Sequence, residues 1–349
     1  MIRIAVAGAS GYMGAELLRL LFAHPEVQVT AVTSARLAGE PLERLFPHLR
    51  ALSQLTFKEL NPERLAQEAE VVFLALPHME SQKVVPVLRR NGRKVIDLSA
   101  DYRLKDAQAY DAWYTSPHSD PEGLAEAAYG LPELHRKAIA GASLVASAGC
   151  YPVGAVLAIA PLLKQGVGRA EGIVIDSKSG VTGAGAQGRN VNPMYLYPEM
   201  NENIQAYSVA AHRHTPEIEQ ELSALAGQPV RVSFTPHLVP LNRGLFTAAY
   251  VPLATSAETD DILALYREFY TGEPFVRVLP IGALPSTRAV MGSNLCDVAV
   301  VVDARTNRAI CLSAIDNLGK GGAANGVQTL NLMMGWDERT GLGGPPVFP

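Results

Sequence analysis

Residues 2–7, Ile-Arg-Ile-Ala-Val-Ala, make a short apolar run of strand character. A glycine-rich turn follows. An apolar stripe at helical spacing then runs from Ala15 to Phe22 and stops before His24-Pro25. A second strand-like run returns at Val27–Val32, which completes a strand–helix–strand unit of about thirty residues. Further apolar runs stand at 71–76, 94–98 and 144–148. Strands that alternate with helical segments in this way predict a doubly wound parallel sheet through residue 149.

Beyond that point the pattern changes. Residues 172–176, 230–235, 245–251 and 298–302 read as strands with few helices between them, and 261–270 reads as a helix. A mixed sheet with a few helices predicts a second, α+β domain. From Asn317 to Met334 the residues Leu318, Ala323, Val327, Leu330 and Met334 recur at helical spacings. Gly-Lys-Gly-Gly at 319–322 makes the start of that helix irregular. The Gly/Pro-rich stretch 341–349 reads as an irregular surface segment.

With 349 residues, two domains are expected. The apolar share of 48% and charged share of 18% fit a folded soluble enzyme rather than a disordered chain. A net charge of -4 argues against a nucleic-acid partner. No apolar run is long enough to span a bilayer, and the N-terminus enters a strand without a leader pattern. The cysteines Cys150, Cys296 and Cys311 are odd in number and widely spread, so a reducing cytoplasm is expected and no disulfide framework.

The turn after the first strand reads Gly8-Ala-Ser10-Gly11-Tyr12-Met13-Gly14. Its place between strand and helix predicts a dinucleotide site, because helix N–H groups and the dipole favour a pyrophosphate there. An NAD enzyme sets an acidic residue at the end of the second strand. Here Thr33-Ser34-Ala35-Arg36 stands instead. Ser34 can donate to a 2′-phosphate and Arg36 can pair with it, so NADP is the expected cofactor.

Residues 144–152 end a strand at Gly149-Cys150-Tyr151-Pro152, ahead of an apolar helical run at 153–163. Cys150 at a helix start is expected to be a nucleophilic thiolate. Cys296 and Cys311 lie in or beside strand-like runs and read as packing residues. His212 and His214 precede Thr215-Pro216-Glu217, which reads as a helix cap, a proline at the first position and an acid in the first turn. A loop histidine there can move a proton near neutral pH; no third ligand suggests a metal. The Gly-rich segment 176–185 reads either as a close approach to a ligand or as a flexible loop.

The segments Gly-Ala-Ser-Gly-Tyr (8–12), Leu-Pro-His (76–78), Asp-Leu-Ser-Ala-Asp-Tyr-Arg (97–103), Tyr-Gly-Leu-Pro-Glu-Leu (129–134), Gly-Cys-Tyr-Pro (149–152), Ser-Lys-Ser-Gly-Val-Thr-Gly-Ala-Gly (177–185), Asn-Glu-Asn-Ile (201–204), His-Arg-His-Thr-Pro-Glu (212–217) and Ala-Ile-Asp-Asn-Leu-Gly-Lys-Gly (314–321) resemble the N-acetyl-gamma-glutamyl-phosphate reductases over essentially the whole chain. That resemblance implies NADPH-dependent reduction of N-acetyl-glutamyl 5-phosphate to the 5-semialdehyde, a step of arginine biosynthesis. It implies Cys150 as nucleophile and His212 as acid/base. Arg103, Ser147, His214 and Glu217 go with the substrate. Ser10, Gly11, Tyr12 and Met13 go with the cofactor phosphates, and Pro77, His78, Ser177, Gly180 and Asn317 with the rest of the cofactor. The implied fold resembles glyceraldehyde-phosphate dehydrogenase. It has an NADP-binding domain at 1–149 plus 316–349, a catalytic and oligomerisation domain at 150–315, and a homo-oligomer, dimer or tetramer. Gly319 stands where the family often has a branched residue and is expected to loosen its loop. The alternatives are a reductase of carrier-protein-linked aminoadipyl phosphate, the aspartate semialdehyde enzyme, and a non-catalytic NADP sensor.

Overall fold

A computed structural model of the chain describes residues 1–186 and 193–347. It separates into two compact units, Met1–Ala148 with Gly322–Gly344, and Gly149–Gly321 with the tail from Pro345. Residues 316–321 lie in the second unit, and the tail joins it through the Val347 N–H, which bonds the Met291 carbonyl at 2.8 Å.

In the first unit, β1 (Ile2–Ala7), β2 (Val27–Val32), β3 (Val71–Leu74), β4 (Lys94–Asp97), β5 (Ala128–Gly130) and β6 (Leu144–Ser147) form a sheet of order β2-β1-β3-β4-β6-β5. Every pair is parallel. All of β3 and β6 is buried, which is why these strands read as unbroken apolar runs rather than alternating ones. β2 and β3 lie on opposite sides of β1, so the carboxyl ends of β1 and β3 flank the point where strand order reverses, the usual place for a ligand in such a sheet. β5 has only three residues and left no readable pattern. The helix Ala324–Met334 packs in this unit, where Asn325 Nδ2 donates to the Gly130 carbonyl at 2.7 Å and to Ser147 Oγ at 3.2 Å. The irregular start ahead of it is a π-helical turn, Gly319–Ala323.

In the second unit the sheet order is β11 (Val276–Val278), β12 (Cys296–Asp303), β13 (Arg308–Ile315), β10 (Leu245–Pro252), β7 (Ile173–Ser179), β9 (Val232–Leu238) and β8 (Gln205–Ala206), with parallel and antiparallel pairs mixed. The helix Cys150–Lys164 lies against its inner face. Residues Tyr151 to Leu163 of that helix are all buried, and each large aliphatic side chain so buried contributes about 1.5–3 kcal/mol. Gly154 allows the close approach. A Cβ there would stand 3.1 Å from Thr247 Oγ1 and 3.3 Å from Ser313 Oγ.

The outer face of this sheet carries an apolar row. Val174 pairs with Tyr250, Tyr250 with Ile310, and Ile310 with Val301. Val174, Tyr250 and Val301 remain 39%, 37% and 41% exposed. No helix among the described residues is long and apolar enough to cross a membrane.

Candidate active site

In the first unit the three glycines of the turn have three separate reasons. Gly8 takes φ +78°, and a Cβ there would lie 2.4 Å from the Ala75 carbonyl oxygen. At Gly14 a Cβ would lie 2.3 Å from the Ala9 carbonyl oxygen, so this glycine seats the helix Tyr12–Phe22 on the turn. A Cβ on Gly11 meets nothing within 4 Å, and Gly11 caps the helix without any side-chain bond. An open approach at the middle glycine, in front of bare N–H groups, fits a pyrophosphate.

At the end of β2, Thr33 Oγ1 accepts from Gly8 N–H at 3.2 Å, and Ser34 Oγ donates to Ser10 Oγ at 2.9 Å. Arg36 is exposed, and no carboxylate among the described residues pairs with it. These donors, with no acid beside them, fit a 2′-phosphate. Pro77 and His78 are exposed at the carboxyl end of β3. The next residue, Met79, has φ +71°, and its N–H is held by Asp101 Oδ1 at 2.9 Å.

Arg103 and Ser147 meet at the carboxyl ends of β4 and β6. Arg103 is 8% exposed; its Nε donates to the Ser147 carbonyl at 2.7 Å and its Nη2 to the Leu98 carbonyl at 3.0 Å. It clamps the ends of β4 and β6, and the buried Ser147 hydroxyl faces Asn325.

In the second unit, Gly149 caps the helix Cys150–Lys164 in extended conformation, and Cys150 is its first residue. The helix begins ahead of the apolar run 153–163, since Pro152 is tolerated within a first turn whose N–H groups have no partner in the helix. Cys150 is half-buried, while Cys296 and Cys311 are fully buried; Cys311 is pushed up to about 12 by burial, as expected of packing residues. The Gly149 N–H donates at 2.8 Å to Oε1 of Glu217, whose side chain is buried. Glu217 therefore fixes the peptide that leads into Cys150.

His212 sits in an aromatic cage. Its ring centroid lies 5.3 Å from that of Tyr151, 5.4 Å from Tyr207, 5.5 Å from Phe234 and 4.8 Å from His214. Burial, with the nearby charge of Arg213 second, lowers His212 to about 4. Its Nδ1 accepts the His214 N–H at 3.1 Å, which puts the proton of the neutral ring on Nε2. Tyr207 donates to the Tyr151 hydroxyl at 3.0 Å, and Tyr151 donates to the His237 carbonyl at 3.2 Å. Burial first, and the charge of Cys150 after it, push Tyr207 above its ordinary value. Neither tyrosine stood out in the sequence. Only Tyr151, next to Cys150, carried a positional signal.

The helix after His214 runs Thr215–Ala226, and His214 occupies the cap position. Thr215 is therefore inside the helix rather than capping it, and its hydroxyl is buried without a bond. Ser177 is fully buried, and its hydroxyl bonds Thr247 Oγ1 at 2.9 Å inside the sheet. Gly180 makes a close approach, but to the protein's own backbone, where a Cβ would stand 2.8 Å from the Leu241 carbonyl oxygen. Both ends of the Asn317 amide are engaged, Oδ1 by Gly244 N–H at 2.8 Å and Nδ2 by Thr182 Oγ1 at 2.9 Å. Gly319 does not loosen its loop. It is buried, and a Cβ there would lie 2.2 Å from the Ser293 carbonyl oxygen.

A glycine-lined dinucleotide turn in one unit and a thiol at a helix start in the other define the class. The NAD-binding domain of the semialdehyde dehydrogenases matches residues 3–142, and the dimerisation domain of the same group matches 150–317. The chain is a member of the semialdehyde dehydrogenases.

Within that class, it belongs to the N-acetyl-gamma-glutamyl-phosphate reductase family. It is 52% identical to the enzyme of that name from Pelobacter propionicus, covering 100% of both chains. To that from Symbiobacterium thermophilum it is 50% identical, covering 100% of this chain and 99% of the relative. Among solved structures it resembles Vibrio cholerae aspartate semialdehyde dehydrogenase II complexed with ASA, with a TM-score of 0.72, 18% identity and 96% and 98% of the two chains covered. It also resembles the Candida albicans aspartate semialdehyde dehydrogenase with NADP, with a TM-score of 0.70, 17% identity and 96% and 98% covered. At these identities the likeness shows the fold.

Proposed function

We propose that the protein reduces N-acetyl-L-glutamyl 5-phosphate to N-acetyl-L-glutamate 5-semialdehyde with NADPH, as a step of arginine biosynthesis. The observation that carries this is the placement of Cys150 as the first residue of a buried helix whose entry peptide is held by Glu217. The full-length relatives share the name of this activity, and that favours it over a carrier-linked aminoadipyl substrate.

Gly8, Ser10, Gly11, Tyr12, Met13 and Gly14 hold the cofactor phosphates, and Ser34 and Arg36 take the 2′-phosphate. When bound, NADPH supplies the hydride. The helix N-terminus favours the Cys150 thiolate through its unpaired N–H groups and dipole. Sulfur attacks the acyl carbonyl, the C–S bond forms and the bond to phosphate breaks, leaving a thioester on Cys150. After reduction, the thiohemiacetal C–S bond breaks and the thiolate is restored as the aldehyde leaves.

His212 enters as the Nε2–H tautomer, so it donates to the oxygen that gains charge at the reacting carbon. Taking the thiol proton does not suit that tautomer; the helix start lowers the thiol's affinity for its proton instead, and the proton passes to solvent water before the substrate binds. Tyr151 and Tyr207 keep the imidazole dry and oriented, and His214 holds its Nδ1 by the main chain.

The apolar row on the outer sheet face is where a second copy of the chain seats, in a homodimer or a pair of dimers. Cytoplasm suits an enzyme that needs a reduced thiol. The activity is tested in reverse, by NADP reduction with N-acetyl-glutamate 5-semialdehyde and inorganic phosphate. Absorbance that grows only with phosphate present supports the reading. Turnover only with carrier-bound aminoadipyl semialdehyde, or no turnover despite NADPH binding, contradicts it.

A further inference from the structure

Asp316 follows β13 and is completely buried, yet no catalytic or binding part falls to it. Its Oδ1 accepts the N–H groups of Leu318 at 2.9 Å and Gly319 at 3.0 Å. Its Oδ2 accepts Gly292 N–H at 2.6 Å and pairs with Arg243 Nε at 2.9 Å. A buried carboxylate persists only when paired and bonded in this way. The bonds gather the chain into the π-helical turn Gly319–Ala323, a rare geometry that collects at functional sites. Gly321 N–H closes the turn on the Asp316 carbonyl at 2.9 Å.

The turn has no slack on either side. Gly319 lies against the Ser293 carbonyl, as described above. On the other side Gly321 lies against Cys150: a Cβ on Gly321 would stand 2.8 Å from Cys150 Cβ and 3.2 Å from Cys150 Cα. Those are backbone-anchored atoms that cannot swing away, unlike the end of a long side chain. Cys150 is thus held from three directions, by its own helix, by Glu217 through Gly149, and by Gly321.

We propose that Asp316 is a positioning residue for Cys150, acting through Gly321. Its carboxylate fixes the turn whose Gly321 forms a wall at the Cys150 Cβ, and the wall removes the side-chain orientations that would turn the sulfur toward it. The inference rests on Cys150 being the nucleophile, and the test separates the two. A misplacement of about 1 Å in a reacting group lowers turnover about a hundredfold.

In the full-length protein, Gly321→Ala is expected to lower kcat about a hundredfold with KM for NADPH changed less than about twofold. The rate at which iodoacetamide alkylates Cys150, followed by mass spectrometry of its peptide, is expected to shift at least about tenfold over a pH series. A merely structural defect would move the melting temperature and the NADPH KM as well. If Gly321→Ala does not fold, Asp316→Asn and Asp316→Ala carry the test, with a graded loss of kcat and a graded shift of the alkylation profile, Asn milder than Ala. Wild-type alkylation and kcat in the folded variants would overturn the proposal. Retained turnover in Cys150→Ser would overturn the nucleophile assignment instead, while the alkylation contrast would still report whether the turn orients Cys150.

Discussion

Two junctions in this molecule are built alike and used differently. In each, a buried parallel strand ends, a glycine in extended conformation caps a helix, and no side chain caps the first turn. At Gly11 the space in front of the helix is open and the first residues are Tyr12 and Met13. At Gly149 the entry N–H is taken by Glu217, and Gly321 leans on the first residue, Cys150. On the proposed reading, the same dipole and the same bare N–H groups serve a mobile anion in one place and a covalent nucleophile in the other. A diffusing phosphate needs room; a thiol needs a fixed direction. The difference lies in what the surrounding chain does with the space, and not in the helix itself.

The largest effect is expected from removing the sulfur. Cys150→Ser should lower kcat by about a thousandfold or more, because a hydroxyl does not ionise at this helix start, while NADPH binding measured by fluorescence stays within about twofold. Turnover near the wild-type level would remove the distinction between the junctions.

At the open junction, Arg36→Glu puts a carboxylate at the proposed 2′-phosphate site. KM for NADPH should rise about 10- to 100-fold with little change for NADH, as loss of one charge-assisted bond and a new repulsion predict. Equal changes for both cofactors would count against this role.

A smaller effect is expected at the held junction. Glu217→Gln keeps an oxygen for Gly149 N–H but loses its charge, so kcat should fall about tenfold with KM for NADPH steady. An unchanged kcat would mean that Gly149 needs no such anchor.

Much of the first junction was legible because all its signals are local. β1, the glycines, the helix and Ser34-Arg36 lie within thirty-six residues, and the periodicity switches cleanly between them. The second was legible only in part. Cys150 could be placed at a helix start from the strand before it and the apolar run after it. Glu217, which holds Gly149 from 68 positions away, drew notice for its helix-start pattern and family motif but not for that bond. Asp316 and Gly321 lie farther still, in a segment that reads as a family motif and an irregular helix start, with nothing local to tie it to Cys150. The surroundings of Ser177 were hidden for a related reason: it belongs to a motif with hydroxyls and glycines, and strand alternation turns its side chain into the sheet interior, where it meets Thr247. The two- and three-residue strands β8 and β11 are too short to leave a period in the sequence.

Acid sharpens the contrast by the smallest expected effect. His212 is lowered by burial from 6.5 to about 4, so as pH falls below about 6.5 the unfolded chain takes the proton first, and stability of the second unit is lost down to about 4. Asp97 in the first unit is raised by burial, and next by Asp101, from 3.8 to about 6. There the folded chain takes the proton first, and stability is gained as pH falls through about 6. Each change is on the order of 1–3 kcal/mol. Hydrogen exchange between pH 6.5 and 4 should therefore show protection falling in the second unit relative to the first; parallel changes would contradict the two assignments.

The most direct test of the central claim omits NADPH altogether. Purified protein is mixed with N-acetyl-glutamyl 5-phosphate alone, released phosphate is counted, and the Cys150 peptide is weighed by mass spectrometry after an acid quench. A thioester on Cys150 predicts a rapid release of about one phosphate per subunit and an N-acetyl-glutamyl adduct on that peptide. No phosphate release until NADPH is added, with an unmodified Cys150 peptide, would contradict covalent catalysis at this helix start.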